Sequence, residues 1–65
     1  MSRNDDLEEI AQSIASLSER VGDLAYDALR EQLKGEGDAK ATERTLNSVR
    51  RALVKAENGL RDLIR

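Results

Sequence analysis

The sequence contains no cysteine, no histidine and no proline, and Tyr26 is its single aromatic residue. Without cysteine there can be no disulfide and no thiolate metal site. Without histidine the commonest transition-metal ligand and the commonest general base are missing. A chain of 65 residues rarely buries enough apolar surface alone and usually needs a disulfide, a metal or a partner chain. Self-association is therefore the expected source of additional burial.

Charged residues are abundant but nearly balanced. They make up 37% of the chain, yet the net charge is only −2. Balanced charge combined with regular apolar spacing argues against disorder, which favours low hydrophobicity and high net charge. The longest apolar run is too short to span a bilayer, and no segment has the character of a secretory signal. We therefore expect a single cytoplasmic domain over residues 1–65 that makes no membrane contact.

A regular apolar spacing dominates the second half of the chain. Between Ala39 and Leu63, apolar or small residues recur at intervals of alternately three and four. This period of 3.5 keeps one stripe of a helix facing a partner helix, as in a coiled coil. The first half carries a stripe of the same spacing. The pattern predicts helix 1 over about residues 5–33, a turn at 34–38 and helix 2 over about residues 39–64, continuous through Asn58-Gly59.

Local signals support these boundaries. Asn4 or Asp5 is the expected N-cap of helix 1, and Asp5 with Glu8 has the spacing of a capping box. Gly35 is expected to take the left-handed conformation that ends a helix, and Asp38 to cap the next helix. A connection this short makes the two helices antiparallel neighbours. The predicted fold class is all-α, an antiparallel two-helix hairpin of the coiled-coil type.

The two stripes also predict which residues meet. Folding at the glycines brings Leu17 opposite Leu53, in the middle of both stripes. The predicted hairpin seam consists of Leu7, Ile10, Ile14, Leu17, Val21, Leu24, Leu46, Val49, Leu53, Ala56, Leu60 and Leu63.

Small residues flank this seam every seven positions. They form two columns: Ala11, Ser18, Ala25 on helix 1 and Thr45, Ala52, Gly59 on helix 2. Small residues allow close helix approach, and long charged side chains are expected where solvent is the only neighbour. The columns therefore predict that two hairpins dimerise into a four-helix bundle, and a lone hairpin is the alternative. The layout resembles that of the small plasmid copy-number regulator, which dimerises as two helical hairpins. The relative direction of the two hairpins stays open.

Charge is divided unequally between the halves. Residues 1–33 hold three basic and eight acidic side chains, net −5, and residues 34–65 hold eight basic and five acidic, net +3. This asymmetry favours pairing of the two helices, within a hairpin and across a dimer. One basic stripe on the outer face of helix 2 has spacing that suits contact with phosphates: Lys40, Arg44, Arg51 and Lys55. A pI near 5 and the lack of stacking aromatic residues argue against nucleic-acid binding.

No residue pattern indicates catalysis, a cofactor or a metal. The serines have no histidine to activate them, and the carboxylates have no evident pocket or metal-ligand partner. The leading hypothesis is a small non-enzymatic adaptor or regulator that acts as a homodimer on a protein partner of unknown identity. The alternatives are a nucleic-acid-binding hairpin and a small accessory subunit of a larger enzyme.

Overall fold

The computed structural model describes residues 2–35 and 37–64, which form two α-helices packed against each other. Helix α1 is Arg3–Leu33 and helix α2 is Ala39–Asp62. The hairpin is 50 Å long and 14 by 11 Å across its Cα atoms. The predicted all-α hairpin is confirmed. Glu36, in the predicted turn, lies outside the described residues, as do Met1 and Arg65.

Helix α1 begins two residues earlier than the sequence predicts. Its N-cap is Ser2, whose hydroxyl accepts a hydrogen bond from the backbone N–H of Asp5 at 3.1 Å. Asp5 and Asp6 then lie in the first turn, at the positive end of the helix dipole. The predicted capping box of Asp5 with Glu8 is wrong. The Ser2 hydroxyl accepts the hydrogen bond from the backbone N–H of Asp5, and Glu8 pairs with Arg61 of α2 instead.

The turn follows the glycine signal. Lys34 is the C-cap of α1, and Gly35 has a φ of +80°, the left-handed conformation predicted for it. Asp38 occupies the N-cap position of α2, but its carboxylate makes no capping hydrogen bond. The reason is its backbone, which has helical dihedrals of −90° and 0°, whereas a capping side chain needs an extended backbone.

Both helices continue through their internal glycines. Helix α1 passes through Gly22, and α2 passes through Asn58 and Gly59 before ending at Asp62, two residues short of the predicted end. A Cβ atom at Gly22 would meet only the Arg50 side chain, with Nε at 3.4 Å. A glycine inside a helix costs about 1 kcal/mol relative to alanine, which the packing of each helix on the other offsets.

Replacement of the two turn glycines should separate their roles. Gly35→Ala forces a Cβ into the left-handed region and should destabilise the fold by about 1–2 kcal/mol. Gly37→Ala is the matched control, because no atom lies within 4 Å of its Cβ position, and its effect should stay within about 0.5 kcal/mol. Urea unfolding followed by far-UV circular dichroism measures both. Equal stability of the two variants would contradict the assigned cap.

Candidate protein interface

Small residues form the α1 side of the contact between the helices. Ala11 is 0% exposed, and Ser18, Ala25 and Ala28 are also buried, as is Ala39 at the start of α2. Small side chains allow two helix backbones to approach closely. No large side chain among the described residues is fully buried. The hairpin therefore has a tight contact line but no core of its own built from large apolar residues.

The predicted seam divides into two groups. Six of its members are half-buried beside this contact line: Leu7, Ile14, Val21, Leu46, Leu53 and Leu60. The other six are exposed: Ile10, Leu17, Leu24, Val49, Ala56 and Leu63. Ile10, Leu17 and Leu24 remain 50%, 46% and 56% exposed. The contact is thus rotated away from the predicted seam, so that half of the expected seam residues lie outside it.

The seam prediction differs from the observed contact because two stripes of α1 have the same period. On α1, the half-buried residues Leu7, Ile14 and Val21 can form a stripe with either of two neighbouring columns. Both stripes have residues spaced alternately three and four apart. One column is Ile10, Leu17 and Leu24, and the other is Ala11, Ser18 and Ala25. The helices approach along the second column. The expectation that Ala11, Ser18 and Ala25 contact a second hairpin is therefore corrected, because α2 of the same chain already covers them.

Long polar side chains of α2 also lie along the contact between the helices. The Arg50 side chain passes over Gly22, and Glu57 is half-buried one heptad further along. Long charged side chains cover apolar surface with their aliphatic parts while keeping their charged ends in water. Gly22, which has no side chain, leaves room for Arg50. Polar residues at contact positions give no signal in the apolar periodicity on which the seam prediction rests.

Two ion pairs of Arg61 lie on one side of the hairpin. Arg61 contacts Glu8 of α1 through Nη1 and Glu57 of its own helix through Nε, each at 2.9 Å. The hydrogen bonds that Arg61 donates to Glu57 and, second in effect, to Glu8 raise the pKa of Arg61 above its ordinary value, so this arginine stays protonated. The Glu8 contact joins the beginning of α1 to the end of α2, which sets the antiparallel register.

The predicted basic stripe is on this polar part of the surface. Its four side chains are exposed: Lys40, Arg44, Arg51 and Lys55. Arg50 lies close to it, in a shallow groove that Glu19 and Asp23 of α1 also line. Acidic side chains therefore border Arg50, and the surface around it is mixed in charge.

The side opposite the ion pairs is apolar. Ile10, Leu17 and Leu24 each stand one position before a residue of the contact column. In an antiparallel helix pair, the residues that precede the contact positions of both helices lie on one side, and those that follow lie on the other. Glu8 and Arg61 follow contact positions, and their ion pair confirms this geometry for the polar side.

We refer to the apolar side as the open face. On α2 it includes both the residues that precede contact positions and the small outer column predicted from the sequence. Its members are Ile10, Leu17, Leu24, Thr42, Thr45, Val49, Ala52, Ala56, Gly59 and Leu63, all exposed. A continuous apolar surface of this kind on a small protein is typical of an interaction site.

The contact column can be tested by enlarging one residue. Ala11→Leu places a bulky side chain where the two helices touch and should lower the free energy of unfolding by about 1–3 kcal/mol. Ala41→Leu, at an exposed position of α2, is the control and should stay within about 0.5 kcal/mol of wild type. Thermal unfolding by circular dichroism at one protein concentration compares them. Unchanged or increased stability of the Ala11 variant would rule out the small-residue contact.

Neither helix, within the described residues, has a segment both long and apolar enough to cross a bilayer. The same residues contain no group of three or more histidine, cysteine, aspartate or glutamate side chains placed to hold a metal ion. No protein-family model, curated protein or solved structure matches the chain.

Proposed function

We propose that this protein is a non-enzymatic interaction module that acts as a homodimer. Two hairpins pack open face against open face in a four-helix bundle, which serves in the cytoplasm as an adaptor or regulator through protein–protein contacts. The observation that carries the proposal is the open face itself. It leaves five large apolar side chains between 42% and 59% exposed on one side of the chain: Ile10, Leu17, Leu24, Val49 and Leu63.

The energetics favour covering this face. Full burial of a large aliphatic side chain contributes about 1.5–3 kcal/mol, so covering the exposed half of five such residues contributes several kcal/mol per chain. A hairpin without a fully buried large side chain needs a contribution of this size, since domains this small are marginal alone.

The dimensions of the face also fit a second copy. The hairpin measures 50 by 14 Å across its Cα atoms. A surface of that size is close to the roughly 800 Å² per partner that a specific, stable interface buries. Two identical hairpins related by a two-fold axis would each cover the whole open face of the other.

The two alternative functions, nucleic-acid binding and a role as an accessory subunit, would each give a distinct experimental result. Binding of nucleic acid by Lys40, Arg44, Arg51 and Lys55 would weaken steeply with added salt. The acidic residues Glu19 and Asp23 beside the basic stripe oppose it. A role as an accessory subunit of a larger enzyme would appear as co-purification with one large partner in stoichiometric amount.

Sedimentation equilibrium measures the assembly directly. At micromolar concentration the wild-type protein should have about twice the chain mass of 7.2 kDa. Ala52→Glu places a carboxylate in the middle of the open face. Burying an unpaired charge costs several kcal/mol, and each 1.4 kcal/mol is a factor of ten in affinity. The variant should therefore dissociate at least tenfold more readily and lose helicity as it does so.

Ala41→Glu is the matched control, because it adds the same side chain to the same helix at an exposed position outside the open face. It should remain as dimeric and as helical as wild type. If both variants stay dimeric, the open face is not the interface. A wild-type chain that is monomeric and fully folded at these concentrations would refute the dimer.

A further inference from the structure

Two hairpins can pack open face to open face in two ways. If the turns lie at the same end, α1 of one copy packs on α2 of the other. If the turns lie at opposite ends, α1 packs on α1 and α2 on α2. We propose that the turns lie at the same end, so that each α1 packs on the partner's α2. This inference rests on the proposed homodimer and adds its internal arrangement.

The first argument is side-chain size. The α1 part of the open face carries three large residues, Ile10, Leu17 and Leu24. The α2 part is mostly small, with Thr42, Thr45, Ala52, Ala56 and Gly59 among its members. Well-packed layers place large residues against small ones. Packing α1 on α1 would join three large residues to three large residues and leave the α2 pair too far apart to fill the space between them.

The second argument is the register along the helix axis. Gly22 lies against Arg50, and Glu8 pairs with Arg61. These two pairs show which residues of α1 and α2 lie at the same height along the hairpin axis. The same heights apply to a partner whose turn is at the same end.

Three matching layers follow from this register. Leu17 is level with a position midway between Ala52 and Ala56. Ile10 is level with the space between Gly59 and Leu63, and Leu24 with the space between Thr45 and Val49. These sets share one spacing of seven residues. Each large side chain of α1 thus meets a site that contains a small residue of the partner's α2, in all three layers.

The third argument is charge. Within the described helices, α1 carries three basic and eight acidic side chains, a net charge of −5, and α2 carries six basic and three acidic, a net charge of +3. Packing α1 on α1 would place two strongly acidic helices side by side. Packing α1 on α2 places opposite charges together along the whole bundle, which selects an orientation even where each exposed pair contributes little.

The test uses the cysteine-free sequence, which allows labelling at one introduced thiol. Gly37→Cys is exposed in the turn, and no atom lies within 4 Å of its Cβ position. A spin label there reports the distance between the two turns of the dimer by double electron–electron resonance. Turns at the same end are one or two helix spacings apart, so the labels should be within about 30 Å, including their linkers. Turns at opposite ends would place them near the full hairpin length of 50 Å.

A second measurement gives the rival arrangement a positive signal. A donor dye on Gly37→Cys and an acceptor dye on Asp62→Cys, at the far end of α2, are mixed and allowed to exchange partners. Turns at the same end separate the two dyes by the length of α2, about 36 Å, so a dye pair with a much shorter transfer distance is used. Efficient transfer is then expected only if the turns lie at opposite ends, so low transfer supports our proposal and high transfer overturns it. Sedimentation of the same labelled chains separates the two hypotheses. A dimer with a long turn-to-turn distance refutes the arrangement alone, whereas a monomer refutes the homodimer and the arrangement with it.

Discussion

Close contact between small residues of α1 and the surface of α2 is the constraint from which the other features of this hairpin follow. Ala11, Ser18 and Ala25 are buried although the described residues contain no fully buried large side chain. A contact of this kind brings the two backbones near each other while burying little apolar volume. It produces a defined helix pair, and it leaves most of the large apolar side chains outside that pair.

The two sides of the hairpin differ because of the same contact. On one side, Arg50 of α2 lies against Gly22 of α1, and Arg61 pairs with both Glu8 and Glu57. These exposed interactions set register more than they add stability. On the other side, Ile10, Leu17 and Leu24 remain about half exposed. The hairpin is therefore amphipathic as a unit, in the way that a single helix is amphipathic, and its apolar side is the surface on which we base the homodimer.

The proposed homodimer would give a role to the small outer column of α2. In a lone hairpin Thr45, Ala52 and Gly59 are exposed positions at which any polar residue would serve. In the proposed homodimer, these three positions would contact the large side chains of the partner's α1. The proposed homodimer would account for the absence of charged residues from this column. In that proposed homodimer, the unequal charge of the two helices would favour one orientation.

The sequence by itself determined the secondary structure and its order. Alternating intervals of three and four residues identified both helices, and Gly35 marked the turn, because these are local properties of consecutive residues. The sequence does not identify Ser2 as the N-cap of α1, since Ser2 and Asp5 are both good caps and the pairing of Glu8 with α2 is a tertiary contact. The tertiary structure decided which face of each helix is used. Two stripes of α1 share Leu7, Ile14 and Val21 and have the same period, so no count along the chain distinguishes them. The choice depends on how closely two backbones can approach and on what the opposite helix offers, and those are properties of the packed pair.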